Sequence, residues 1–235
     1  MTEGKSRQSK SQPMSDKAFE TLLDAIVSCE LAPGTWIKAS ELSESLGLGR
    51  TPTMQALQRL EAAGFARPVK RKGWQVTPIT LQSVHDILEA FQLTAPGLVV
   101  LSVRNATDEQ IARLGELVMA WAPGPRPSEV IPDLRAAPIR YLVQICGNPM
   151  MAGMALPLAT HVERVLNFGL SQEDLSHPNY VHWRNALNDA MADRDENRAR
   201  EAVVNVIQNG ITGIIGILQG AQSIRSVPLE IERAS

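Results

Sequence analysis

Residues 39–76, ASELSESLGLGRTPTMQALQRLEAAGFARPVKRKGWQV, constrain the fold of this chain more than any other stretch. A short amphipathic segment, Glu41 to Leu46, leads into a turn over Gly47 to Gly49, and a second segment begins with Arg50-Thr51-Pro52. The Thr51 hydroxyl is expected to cap this second helix, with Pro52 at the first helical position, where a missing N–H costs nothing. Ala56, Leu57 and Leu60 then recur at helical spacing, and Gly64 supplies a left-handed stop. A helix from about Pro52 to about Ala63 follows. Beyond it, Phe65 to Val69, the basic turn Lys70-Arg71-Lys72-Gly73 and Trp74 to Val76 read as a hairpin with a positive tip.

Two helices joined by a tight turn, the second followed by a charged hairpin, make a winged helix-turn-helix. Its physics suits DNA, because a helix N-terminus carrying Arg50 and Thr51 can enter the major groove while a cationic wing neutralises phosphates. Thr53 is expected at the same exposed start, with Gln55, Gln58 and Arg59 on the flanks. In the wing, Arg71 and Lys72 approach the sugar-phosphate backbone, and Gly73 permits close passage of the main chain.

The run GRTPTMQALQRLEAAGF, preceded by LAPGTWIKASELSESLGL, resembles the DNA-binding domain of GntR-type transcription regulators, in the FadR-like branch with an all-helical effector (FCD) domain. The resemblance implies a sequence-specific DNA-binding regulator and, by the habit of its relatives, a repressor. One position departs from the pattern: where the family often carries an Arg three residues after the threonine, this chain has Met54, which removes a charged contact and implies a different or weaker operator.

Charge is distributed as such a reader and sensor would require. Residues 1–80 hold eleven Lys and Arg against eight Asp and Glu, whereas the remainder holds twelve against seventeen. A basic front and an acidic rear suit a nucleic-acid reader joined to a body that stays off the DNA. The two cysteines, Cys29 and Cys146, sit in apolar helical patterns and read as packing residues of a reducing compartment. The polar opening MTEGKSRQSKSQPMSD lacks an apolar core, so residues 1–14 read as a disordered arm and the protein as cytoplasmic. The apolar run from Val203 to Leu218 is interrupted by Asn205, Gln208 and Asn209, and no membrane contact is expected.

In chain order, a first helix starts near Ser15 with Phe19, Leu22, Leu23, Ile26 and Val27 on one stripe. Trp36-Ile37 is expected to pair with the wing. Residues 15–78 form the DNA-binding domain, closed at the Thr77-Pro78 junction, and Thr80 caps a new helix. From there the pattern is helical: Val84, Ile87, Leu88, Phe91 and Leu98 on a helix bent at Pro96-Gly97, then a capping box at Thr107 to Gln110. Helices follow over about 131–146, 149–168, 178–193 and 195–218. The fold class is therefore mostly α, a winged helix-turn-helix ahead of an antiparallel all-helical bundle over 79–225, with a tail at 226–235. Gly210, Gly213, Gly216 and Gly220 would let another helix approach the last one closely, inside the bundle or across a homodimer.

Many FadR-like relatives hold a metal with an Asp and a His four residues apart plus two further histidines. Aligned by Gly147-Asn148 and by Ala190 to Asp195, those positions are Arg135, Ile139, Arg184 and Val206 here, none of them a usual ligand for a divalent ion. No metal and no other cofactor is expected. Arg135 and Arg184 instead bring positive charge that suits an anionic effector such as a carboxylate or an acyl thioester's phosphates. Phe91, Ile139 and Val206 would add apolar wall, and Asn205 and Asn209 hydrogen bonds. The same residues admit another reading, with both arginines in solvent and the bundle filled.

Enzyme chemistry has little support: the chain lacks G-x-S-x-G, H-E-x-x-H and a Gly-rich phosphate loop. His161-Val162-Glu163 matches half of a zinc deaminase signature, without the partner P-C-x-x-C. A protein-interaction module that has lost DNA binding is the other alternative, with Met54 its only support. The regulator reading implies a homodimer on a pseudo-palindromic double-stranded operator, its spacing set by a small effector.

Overall fold

The computed structural model describes residues 13–45, 47–120, 138–169 and 178–209. Expectations for the N-terminal arm, Arg135, the glycine stripe from Gly210 and the tail lie outside these residues. The described chain is mostly helical with one small sheet. It divides into two compact units, Met1–Ile26 with Leu31–Pro78 and Val27–Glu30 with Ile79–Ser235.

In the first unit, α1 (Met14–Val27) buries Ala18, Leu22 and Ile26, one stripe at helical spacing. The strand β1 (Trp36–Ile37) precedes α2 (Ala39–Ser45) and α3 (Arg50–Ala62). The hairpin of β2 (Ala66–Val69) and β3 (Gly73–Val76) completes a three-stranded antiparallel sheet in the order β1-β3-β2. Trp36 and Ile37 pair with Gln75 and Trp74, so the expected partnership of β1 with the wing is present. Ile37, Trp74 and Val76 fall on the buried face; Trp36, Gln75 and Arg67, paired across the three strands, fall on the other.

Two expectations about α3 require correction. The helix begins at Arg50, with Gly49 as its N-cap in an extended conformation and no side-chain cap bond, so Thr51 does not cap it and Pro52 lies within the first turn. A proline's absent N–H is harmless anywhere in that turn, because those amides have no partner inside the helix. The C-terminal stop is as expected: Gly64 follows Ala63 with φ +79°.

In the second unit, α4 (Leu81–Asn105) starts at Thr80, whose hydroxyl accepts from the Ser83 N–H while the Ser83 hydroxyl accepts from the Thr80 N–H. It continues through Pro96 and Gly97 as one helix. Its length and composition would suffice to cross a membrane, yet Val84, Leu88, Phe91, Leu98, Val99 and Val103 are spent on the core. Helix α5 (Asp108–Ala120) opens with the expected capping box, Thr107 and Gln110 exchanging backbone-to-side-chain bonds. Next come α6 (Pro138–Ile145), α7 (Pro149–Gly169), which continues through Pro157, α8 (Pro178–Ala192) and a helix over 196–209, α9. The Asp195 carboxylate caps α9 by accepting from the Asn197 and Arg198 amides.

The core of this unit joins α4 to α9, with Leu98, Leu114, Val143, Val162 and Met191 among its buried members. Polar groups fasten its corners. Arg194, itself in a left-handed turn at φ +58°, donates through Nη1 to the carbonyls of Val103 and Ala106 at 2.7 and 2.8 Å. It thereby closes the C-terminal end of α4, where carbonyls lack helical partners. Arg140 and Glu163 stand as an ion pair at 2.6 Å between α6 and α7, with Glu163 only 2% exposed.

Candidate nucleic-acid interface

Helix α3 is mounted by a stripe of four residues, Thr53, Ala56, Leu57 and Leu60, each with 0% exposure. They follow the i, i+3, i+4, i+7 pattern of a helix with one buried face. Arg50, Thr51, Gln55, Gln58 and Arg59 are exposed, and Pro52 and Met54 lie half-buried between the two faces. Arg50 forms no ion pair among the described residues, so its guanidinium stands at the helix N-terminus with its donors uncommitted to them.

Thr53 departs from its expected place. It is buried, and its hydroxyl donates to the Gly49 carbonyl at 3.1 Å, so it holds the start of α3 instead of facing nucleic acid. Its membership of the Ala56-Leu57-Leu60 stripe was visible in the spacing alone. Arg59 is exposed but engaged: Nη1 donates to Asp16 Oδ1 at 2.6 Å, and the guanidinium lies 4.0 Å from the centroid of the Phe19 ring. It ties α3 to α1. The sequence offered no signal for this pair, since the partners are 43 residues apart.

The wing turns through Lys70 to Lys72, with the Lys72 N–H donating to the Val69 carbonyl at 3.0 Å. Arg71 adopts φ +65°, a conformation that costs a side-chain-bearing residue about 1–2 kcal/mol and leaves it at the apex of the turn. Gly73 has φ +89°, and a β-carbon there would stand 3.0 Å from the Ile37 carbonyl oxygen. The sheet itself therefore requires glycine here, through the approach of β1. Lys72 extends its ammonium to 5.3 Å from the centroid of Trp36, an indole that is 47% exposed. On the same face, Arg67 donates through Nε and Nη2 to Gln75 Oε1, while Gln75 Nε2 donates to the Gly34 carbonyl. Sequence reasoning placed Trp36 only as a strand residue and did not select Arg67.

The residues expected to line an effector site fall as follows. Phe91, 8% exposed, belongs to the core of the second unit, and Ile139 packs half-buried against it. Val206 and Arg184 are half-buried, and Arg184 Nε is enclosed without a hydrogen-bond partner among the described residues. Asn205 and Asn209 use their amide N–H groups locally, donating to the carbonyls of Glu201 and Asn205 one turn earlier. A concavity of about 490 Å³ runs along α4 between Leu81 and Gln92 and includes none of these residues. For the metal that FadR-like relatives hold, the side chains here do not fit: Ile139 has no donor atom, Arg184 carries a guanidinium, and the described residues contain no group of three or more His, Cys, Asp or Glu arranged to ligate an ion.

With this geometry in view, comparison with known proteins is specific. The family described as "Bacterial regulatory proteins, gntR family" matches residues 14–76, and the FCD domain family matches residues 86–209. The Nta operon transcriptional regulator of Aminobacter aminovorans is 25% identical over 197 residues, spanning 83% of this chain and 91% of that protein. The HTH-type transcriptional regulator YdhC of Bacillus subtilis (strain 168) is 27% identical over 92 residues, 39% of this chain and 41% of its own. Among solved structures, McbR/YncC of E. coli superposes with a TM-score of 0.71 at 18% identity, covering 87% of this chain and 98% of that one. A GntR transcriptional regulator from Rhodococcus sp. RHA1 gives 0.69 at 14% identity, covering 87% and 99%. At these identities the two structures speak for the fold alone.

Proposed function

The chain belongs to the GntR family of bacterial regulatory proteins, a DNA-binding transcription regulator with an FCD domain and not an enzyme, and from that premise we propose a cytoplasmic repressor released by a small effector. The observation that carries the reading is the division of α3 into two faces. One stripe is wholly buried, and the opposite side, led by Arg50 at the N-terminus, is exposed beside a cationic wing. Arg50 donates to a guanine edge, the bidentate contact a guanidinium fork favours, with Thr51, Gln55 and Gln58 beside it. Arg71 and Lys72 neutralise phosphates alongside.

Two copies place their recognition helices about one DNA turn apart on a pseudo-palindrome, and effector binding in the FCD domain changes that spacing. Arg184 supports an anionic effector: its guanidinium Nε is enclosed and lacks a hydrogen-bond partner among the described residues, a deficit that a carboxylate or phosphate would satisfy. The direct test is to sequence the genomic fragments that the purified protein retains and to titrate one of them with wild type and Arg50→Ala. Loss of roughly ten- to hundred-fold in affinity is expected for the variant. Binding of Arg50→Ala as tight as wild type would remove that residue from the interface.

A further inference from the structure

The outer face of the small sheet carries a feature that base reading by α3 does not use. Trp36, Gln75 and Arg67 are directly paired across β1, β3 and β2, so their side chains share the face turned away from the core. Large indoles are usually withdrawn from water, yet Trp36 is 47% exposed. Its exposed ring is where the Lys72 ammonium lies, 5.3 Å from the centroid. Arg67 is held on the same face by the Gln75 amide oxygen, and that amide is anchored in turn to the Gly34 carbonyl. Residues 66–76 contain Arg67, Lys70, Arg71 and Lys72 and no acidic residue.

We infer that Trp36 is a positioning residue for the sugar-phosphate backbone of DNA: its indole holds the Lys72 ammonium in place, and with Arg67 extends the contact from the wing tip over the outer face of the sheet. The inference rests on the regulator reading above. A lysine side chain on a turn samples many rotamers, and fixing it on binding costs entropy. An aromatic face attracts the ammonium without neutralising it, because the ring offers a quadrupole and not a counter-charge. A carboxylate partner would have ordered Lys72 equally well but cancelled the charge a phosphate needs. Gln75 treats Arg67 in the same way, accepting two donors through a neutral oxygen. Order without neutralisation is what a polyanion requires of its ligand, so the charge complementarity of the face selects a nucleic-acid backbone as its occupant.

A backbone contact is independent of sequence, so a mixed-sequence duplex serves as probe, with affinity followed against salt for the full-length protein. Trp36→Leu should weaken binding about two- to five-fold, Trp36→Phe should restore most of the loss, and Lys72→Met should lower the salt slope by about one. The double variant should bind no worse than Lys72→Met alone, since the indole acts through the ammonium. Thermal unfolding checks that Trp36→Leu is folded. Wild-type binding matched by Trp36→Leu, or losses from Trp36→Leu and Lys72→Met that multiply, would overturn the inference while leaving the regulator reading intact. A wild-type protein without salt-dependent DNA binding would overturn both. If Trp36→Leu instead abolishes capture of an acidic protein and leaves the duplex titration unchanged, the face serves a protein partner and the inference fails.

Discussion

The Asn105 side chain occupies the space a β-carbon on Gly147 would need: such an atom would lie 2.4 Å from the Asn105 Cβ and 2.9 Å from its Cγ and Nδ2. Asn105 uses this proximity to donate through Nδ2 to the Cys146 carbonyl at 2.9 Å, fastening the end of α4 to the corner between α6 and α7. Gly147 also has φ +68°. Gly147→Ala therefore combines left-handed strain with overpacking and should cost the second unit about 2–4 kcal/mol in urea unfolding. Asn105→Ala, which loses one hydrogen bond and creates no clash, should cost about 1 kcal/mol.

The Arg140–Glu163 pair should behave as a buried charge pair. Glu163 is 2% exposed and the Arg140 side chain 21%. Nε approaches Oε2 at 2.6 Å, and Nη2 donates to Oε1 at 3.4 Å. Glu163→Ala removes one member of this buried pair and should destabilise the FCD domain by about 3 kcal/mol. Replacing both with Met and Leu should recover much of that loss, and chemical denaturation of the single and double variants reads the difference.

Arg50 and Arg59 are both exposed on α3, but their expected phenotypes separate. Arg59→Ala loses the Asp16 bond and the Phe19 stacking, and should lower the stability of the DNA-binding unit by about 1 kcal/mol. Its effect on DNA affinity should be smaller than that of Arg50→Ala, which in turn should leave the melting temperature unchanged. Differential scanning fluorimetry beside a gel shift distinguishes the two residues.

The Glu196 carboxyl is held below its ordinary 4.5, first by the hydrogen bonds it accepts from Arg104 at 2.6 and 2.7 Å. Arg104→Gln should raise it toward that value, as NMR titration of the carboxyl carbon would record. A depressed folded value means that the stabilisation is present above the unfolded value and fades as pH falls through the folded one. The difference in stability between wild type and Arg104→Gln should accordingly be present at neutral pH and vanish in acid.

Local features were legible in the sequence where the chain satisfies itself. The cap at Thr80, the box of Thr107 with Gln110 and the stop at Gly64 each depend on residues within one turn, and each stands as the residue pattern implied, Ser83 adding a reciprocal bond to Thr80. Thr51 failed as a cap because an extended glycine can begin a helix without any side-chain bond, and Arg-Thr-Pro reads equally well with either start. Thr53 was misplaced although its spacing was visible, because a hydroxyl suggests exposure when its chain has not been traced back to the Gly49 carbonyl. The Arg59–Asp16, Arg140–Glu163 and Trp36–Lys72 contacts join segments far apart in the chain, and side-chain periodicity holds no information on which distant partner arrives.

The clamp of Arg59 on Asp16 and Phe19 also limits how this reader can diversify. With the back of α3 stapled to α1 and its inner stripe fixed by packing, the exposed positions 50, 51, 55 and 58 are left free to vary without disturbing how the helix is held. Under the base reading proposed above, a change of target would fall to those four, a small cassette exchanged while the scaffold stays constant.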